Sequence, residues 1–555
     1  MAIRHLTLLL ILFLLIASST QAQISRPYEP IIITGDTLAN FNNCALENLY
    51  LFSYNSISDT WRLIPFQFDE INPAYQNARS EIQDSIKYFV PEDSLFGLLD
   101  SDDELVFMAA DLGDQANTDS WVEETDSNRI EIAFFDSTDN TSGYVYLYFS
   151  QSLDETVPSY DELDYDSQND RISSLNYEIG FNNTGQLSDV KIKETIGGSN
   201  EDIFDRIKIR VFLSFLWNFL AADEDSVVSN SVQVKAGPVR IIRNMSGSFI
   251  YRFPIFPINE KFIQNSLFYP WNSAFKLVNI PIGNLTGIGI EVDEFRVSWD
   301  FNDNSPGMNF YSEFNLGGIP IDGSKDSFNS TIQPGNLNWS MGAGAQGSLL
   351  NIFYVPPFGD FINLYYFEAT DGSSGDSSIF SYDTGDMKSY GDNGFSLLNN
   401  IENSVTTDTK FDFQYYNFFL PPNFSPENAS QICEKLKSPL GVITKTQLFT
   451  GGTNVTIEQL MKPGGFSLVQ NYPNPFNNFT IIKFKLSDSK TVNLRIYNPM
   501  GRRVRTLISK TLNAGEHQLS WDGKNDYGTQ LSSGIYFFRL ETETASVSRK
   551  LILIK

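Results

Sequence analysis

Carboxylates are the main chemical resource of this 555-residue chain, which carries 67 Asp and Glu against 39 Lys and Arg and only two histidines. The histidines are His5 and His517, at opposite ends. Everything between them is therefore without Ser-His-Asp or Cys-His catalysis, imidazole-built zinc sites or a histidine general base. Chemistry in that long stretch must come from carboxylates, Tyr, Lys, Arg or a bound hard cation. Its densest acidic run is Asp69-Glu70, then Asp100, Asp102, Asp103 and Glu104, then Asp111 and Asp114. Ca²⁺ takes six to eight oxygens, and alternate acidic residues on a loop supply them with suitable reach. Asp100, Asp102, Asp103 and Glu104 are the calcium-ligand candidates, although the run lacks the glycine at position six and the closing Glu of an EF-hand. A solvated acidic turn before the strand 105–109 is the plainer reading of the same residues.

Other groups carry weaker signals. Two Asp/Asn/Gly-rich loops, 300–304 and 371–394, have the composition of cation-binding loops and equally of ordinary turns. Trp61, Trp121, Trp271, Trp299 and Trp339, with Phe268-Tyr269 and Tyr365-Tyr366-Phe367, would offer flat platforms to sugar rings if exposed and core packing if not. Lys235, Arg240 and Arg243, basic residues in an acidic region, are expected to pair with carboxylates. A glycoside hydrolase needs only two convergent carboxylates. Asp69, Glu70, Asp293, Glu294 and Glu368 are the candidates, and sequence spacing does not show which of them converge.

Short strands must position these residues. Aromatic residues make up 14% of the chain, with 45 Phe and 25 Tyr, and such residues fit pleated, half-buried surfaces. Strands are expected at 49–54, 62–68, 130–135, 143–149, 232–235, 239–243, 295–299 and 411–420, broken by Asn, Asp, Gly, Ser and Pro. In 145–149 the alternation places Tyr146 and Tyr148 on the solvent side. Two segments read as helices. Residues 200–222 space Ile203, Ile207, Val211, Phe215 and Phe219 four apart, although 206–211 reads equally as a strand. Residues 426–436 follow Ser425 as N-cap with Pro426 at the first position. Cys44 and Cys433 would form one long-range disulfide or remain two buried thiols.

The ends of the chain differ from its middle. Arg4 and His5 precede an apolar run over 6–17, and Thr20-Gln21-Ala22 makes a small-x-small cleavage site, the order of a signal peptide. The mature chain is expected to have no membrane-spanning segment. Residues 461–555 hold 14 Lys and Arg against 6 Asp and Glu, whereas the whole chain has a net charge of −28. A sign change of that size marks a boundary. The acidic balance also excludes nucleic acid as a partner, since that binding needs cations against phosphate. The organisation read from these signals is a signal peptide at 1–22, an acidic β-rich body at 23–450 with room for two packed subdomains, a linker at 451–465, and a β-module at 466–555. The fold class is mostly β, a large multi-stranded antiparallel β-sandwich body with one or two helices, plus a small C-terminal immunoglobulin-like β-sandwich.

Asn471, Tyr472, Pro473, Asn474, Pro475 and Phe476 open the terminal module. Tyr497, Gly501, Trp521, Gly534, Tyr536 and Lys550 follow in order, and the chain ends Leu551-Ile552-Leu553-Ile554-Lys555. This string resembles the C-terminal sorting domain of type IX secretion cargo, over about one sixth of the chain. One departure, Asn478-Phe479 where the family often has Pro-Ser, falls in the lead-in to the first strand. The resemblance implies recognition by the type IX outer-membrane translocon and sortase machinery. The protein would then be secreted, or attached to the outer-membrane surface, after leader removal and passage through the periplasm. For the body two readings stand: an extracellular binding or structural module, with glycans and Ca²⁺ as its ligands, or a histidine-free polysaccharide-active enzyme using paired carboxylates. Binding is favoured because no catalytic constellation stands out.

Overall fold

Short strands build most of the described part of this protein. The computed structural model describes residues 24–71, 87–89, 97–125, 128–160, 162–215, 218–252, 257–280, 291–355, 362–373, 384–398, 411–449, 466–468, 476, 479–486, 489–497, 503–526, 528–531, 534–542 and 546–553. The chain divides into two compact units, Met1–Phe449 and Thr450–Lys555. It is mostly β, and every pairing between its strands among the described residues is antiparallel. No helix among those residues is long and apolar enough to cross a membrane.

The first unit holds two large cores. One lies between a three-stranded sheet (Pro30–Thr34, Glu104–Met108, Gln67–Asp69) and a five-stranded sheet ordered Gly441–Leu448, Asn128–Asp136, Thr141–Phe149, Leu49–Asn55, Thr60–Leu63. Ile31, Leu49, Leu51, Phe107, Ile132 and Leu147 fill it. The strand expected over 62–68 is divided here into Thr60–Leu63 and Gln67–Asp69. Pro65, which has no amide hydrogen, falls in the break. Tyr146 and Tyr148 correct another expectation, for both are fully buried. The outer face of this sheet is itself covered by aromatic side chains, Trp61 and Trp121 among them, so both faces of the strand are dry.

The larger core is enclosed by a five-stranded sheet, a nine-stranded sheet and a four-stranded sheet. The five-stranded sheet runs Asn218–Ala222, Phe204–Phe215, Glu291–Phe301, Ser389–Leu398, Ile362–Ala369. The helix expected over 200–222 is therefore a β-hairpin, with Val211 opposite Ala222 and Phe215 opposite Asn218. Buried charge disguised its alternation. Ile207 and Val211 face the apolar core, while Lys208 and Arg210 on the opposite face are equally buried, in ion pairs. The helix Pro426–Lys437 forms as expected, with the Ser425 side chain accepting from the Asn428 amide. Ala429 and Cys433 pack it against Trp339, Met341 and Phe418 of the nine-stranded sheet. Cys433 and Cys44 sit in different clusters and are not bonded to each other.

The second unit is a small immunoglobulin-like sandwich of two sheets. Phe466–Leu468, Thr480–Leu486 and Gly515–Trp521 form one, and Arg503–Leu512, Lys490–Tyr497, Gly534–Glu541 and Ser546–Leu553 the other. Val492, Leu494, Ile496, Phe538 and Leu540 close its core.

Candidate functional site

The acidic residues singled out from sequence are largely consumed by local partners. In the calcium-ligand candidates, Asp100 Oδ1 accepts from the amides of Asp102 and Asp103, and Asp103 accepts from the amides of Asp100 and Ile71. Burial pushes the Asp103 carboxyl up to about 6. Glu104 points elsewhere, to Lys87 at 2.7 Å and Arg240 at 2.7 Å. Asp111 pairs with Arg62, and Asp114 accepts from Ser56. Asp69 is fully buried between Arg240 (2.7 Å) and Lys235 (3.2 Å), and Glu70 accepts from the Gly97 amide. Asp293 and Glu294 lie half-buried on the strand Glu291–Phe301.

The basic hairpin is structural. Val227–Ala236 pairs with Ile241–Arg252, and Arg243 meets Asp170 at 2.6 Å. The two Asp/Asn/Gly loops each contribute one buried carboxylate, Asp300 and Asp392, to a single cation, Lys208, at 2.7 and 3.8 Å. Of the aromatics, Trp299, Trp339, Phe268, Tyr269 and Tyr366 are buried, and none of the others is exposed. They are packing, not platforms.

One group differs. Asp322, Asp326 and Glu368 bring one carboxylate oxygen each within 4.8 Å of one another, and this is the one such acidic group of three among the described residues. Glu368 comes from the strand Ile362–Ala369, whose alternation turns Leu364, Tyr366 and Glu368 inward. The two aspartates lie on the turn beyond Asn315–Pro320 and are exposed. Two glycines with positive φ shape the approach. Gly391 (φ +55°) donates its amide to Glu368 at 2.9 Å. Gly323 (φ +81°) carries the turn so close to Thr370 that a Cβ would stand 2.5 Å from its Cγ2. Asp322 Oδ1 accepts from the Ser324 amide, which closes the turn.

Among the described residues no lysine or arginine forms an ion pair with these carboxylates. Burial and then the neighbouring Asp322 charge push Glu368 up to about 7, against amide hydrogen bonds that pull it down. The Tyr366 hydroxyl is buried beside Glu368, and its ionisation is pushed up by burial, next by the charges of Glu368 and Asp326, and by a hydrogen bond to Glu368. Its ring is fixed by stacking on Phe310 at 4.4 Å. Three crowded carboxylates and a buried hydroxyl ask for a proton or a hard cation. Two exposed aspartates leave such a cation open to water. Sequence reading had Glu368 but missed Asp322 and Asp326. Their signal, Asp-Gly-Ser-Lys-Asp, is the composition of any solvated turn.

In the second unit, the motif residues within the described part are mainly core. Phe476 packs on Trp521 at 5.4 Å and Trp521 on Tyr536 at 5.6 Å, while the Trp521 indole donates to the Lys524 carbonyl. Tyr497 and Lys550 both lie opposite Phe537, on either side of the strand Gly534–Glu541. Asn471, Tyr472, Pro473, Asn474, Pro475 and Gly501 lie outside the described residues, as does the leader 1–22.

The FlgD Ig-like domain family matches residues 478–546, within the second unit. No curated protein matches the chain. Three solved structures are similar at low overlap. An alpha-mannosidase from Enterococcus faecalis V583 is 9% identical, with 87% of this chain and 57% of that chain covered and a TM-score of 0.35. Dimeric latent PorU from Porphyromonas gingivalis is 9% identical, covering 81% and 42%, with a TM-score of 0.16. PorZ, a surface component of the type-IX secretion system of Porphyromonas gingivalis, is 11% identical, covering 74% and 49%, with a TM-score of 0.13. The chain thus spans less than two thirds of each of these proteins, and likenesses this shallow say nothing of what it does.

Proposed function

We propose that this chain is a type IX secretion cargo whose body is an extracellular binding module holding a divalent cation, Ca²⁺ by its oxygen ligands, at Asp322, Asp326 and Glu368. The export reading is supported by the motif string on the terminal immunoglobulin-like unit. The body reading is carried by the three carboxylates gathered beside the buried Tyr366 hydroxyl. Ca²⁺ is a better occupant than Mg²⁺ because a shallow site with two exposed ligands suits a large, geometrically tolerant ion. The paired-carboxylate enzyme would need Glu368 as its raised-pKa acid, and a general acid must reach the leaving oxygen. At 2% exposure Glu368 does not present itself to a substrate.

Calorimetry of Ca²⁺ into the purified mature protein tests the body reading. Binding that Asp326→Asn weakens at least tenfold is the expected result, and a flat titration sinks it. Deletion of residues 466–555, in a bacterium with the type IX route, should leave the protein in the periplasm. Continued arrival of the truncated chain at the surface or in the medium would overturn the export reading.

A further inference from the structure

The first unit contains a second place where a ligand fits. A pocket of about 210 Å³ lies between the segment Ser25–Glu29, Phe418 of the strand Phe411–Leu420, and one face of the helix Pro426–Lys437. By contrast, the cavity inside the larger core measures about 50 Å³ and is walled almost entirely by apolar side chains, with no room for more than a few atoms.

The pocket has two kinds of wall. Tyr28, Phe418 and Phe424 form an aromatic side, with the Tyr28 ring set edge-on to Trp271 at 5.3 Å and to Phe424 at 6.5 Å. Asn428 and Gln431, three apart on the helix and hence on one face, line the same pocket with two side-chain amides, and Glu29 adds a carboxylate. Both amide residues are exposed, and neither side chain has a hydrogen-bond partner among the described residues. The cations at this end are already committed. Arg26 is spent on Asp136, Glu29 and two helix-end carbonyls, and Lys435 bonds the Ser25 carbonyl and pairs with Asp139 at 3.8 Å. That leaves a net display of donors and acceptors with no free positive charge, against aromatic surface.

We propose that this pocket binds one neutral pyranose ring, free or at the end of a glycan, with its C–H face on the aromatic side and its hydroxyls on Asn428, Gln431 and Glu29. The inference rests on the reading of the body as a binding module and is independent of the export route. An amide donates and accepts at once, and the Glu29 oxygen that Arg26 does not hold accepts from a hydroxyl, so the three side chains suit adjacent hydroxyls of a sugar ring. A phosphate or carboxylate ligand is excluded by Glu29 and by the absence of an uncommitted cation. A long apolar ligand is excluded by the polar wall.

The test is to titrate the purified mature protein with a panel of neutral monosaccharides, followed by ligand-observed NMR and by the fluorescence of Trp271 against Tyr28. The same protein and its Asn428→Ala and Gln431→Ala variants are run on a glycan array. Both positions are exposed, so the variants should keep the melting temperature of the parent. The expected result is binding of at least one sugar that each variant weakens tenfold or more, about 1.4 kcal/mol. Free-sugar binding with array silence would assign a free monosaccharide, and both together a glycan terminus. Array binding that neither variant changes would overturn the pocket while leaving the body a binding module. Silence in every arm would overturn the pocket and leave the body reading to the calcium titration.

Discussion

Arg26 and Asp136 form a two-pronged ion pair across 110 residues, Nε to Oδ2 at 2.6 Å and Nη2 to Oδ1 at 2.8 Å, with both side chains buried. The same guanidinium donates to the carbonyls of Lys435 and Ser438, so one side chain ties the start of the folded chain to the end of a strand and the end of the helix. Asp136 is held well below the usual carboxylate range, first by the Arg26 hydrogen bond. Asp136→Asn leaves the buried guanidinium with Glu29 as its remaining carboxylate partner, and a loss of about 3 kcal/mol, the low end for a broken buried pair, is expected by urea denaturation. Because the folded carboxyl titrates lower than the unfolded one, near 3.9, its contribution is complete above that pH and disappears as the pH falls below it. The parent should therefore lose stability more steeply than the variant on acidification below about pH 4. Parallel acid limbs would show that the pair does not carry this charge.

Arg240 offers a test of partner removal against partner replacement. Its guanidinium bridges Asp69 and Glu104, each at 2.7 Å, from a fully buried position. Arg240→Met should cost about 3–5 kcal/mol because two buried carboxylates lose their main cation. Adding Asp69→Asn to that variant should restore at least about 1 kcal/mol relative to the sum of the single changes, since groups in one network do not add. Strict additivity in a double-mutant cycle would mean that Lys235 and Lys87 already satisfy the carboxylates alone.

How legible this was in the sequence depended on where the charges went. The strand expected over 411–420 forms at those bounds as Phe411–Leu420, although its second half is covered on both faces, by the larger core and by the helix Pro426–Lys437. The hairpin Phe204–Ala222 was missed because Lys208 and Arg210 are buried where alternation implies water. Tyr146 and Tyr148 were misplaced for the converse reason, that their outer face is covered by residues distant in sequence. Of the three residues of the proposed cation site, one was visible. Glu368 could be suspected as a carboxylate, but its convergence with Asp322 depends on a tertiary approach fixed by Gly323 and Gly391, which no local pattern encodes.

Arg129 occupies the dry outer face that those tyrosines create. It is fully buried, its guanidinium 4.3 Å from the Trp121 ring and 4.6 Å from the Tyr146 ring. It also donates to the Ser120 carbonyl, the Tyr148 hydroxyl and Gln447. A lysine keeps the charge but loses the planar fork that reaches three acceptors while lying on aromatic faces. Arg129→Lys should therefore cost at least about 2 kcal/mol, the loss of one or two charge-assisted hydrogen bonds. It should also shift the fluorescence of Trp61 and Trp121 in the folded state. Unchanged stability together with an unchanged spectrum would mean that the cage does not hold the guanidinium.

Tyr366 separates the cation reading from a merely acidic turn, because its hydroxyl should change the calcium increment as well as the baseline stability. Without a cation, the buried hydroxyl has Glu368 as its acceptor among three crowded carboxylates. Tyr366→Phe keeps the ring stacked on Phe310 and removes only the oxygen. In EDTA the variant should lose about 1 kcal/mol, the worth of that hydrogen bond. With Ca²⁺ at a hundredfold excess over its dissociation constant, the parent should gain about 2.7 kcal/mol. The variant should gain measurably less, having lost an oxygen that faces the ion or its water. An equal calcium increment in both proteins would place the hydroxyl outside the site, and no increment in either would remove the site itself.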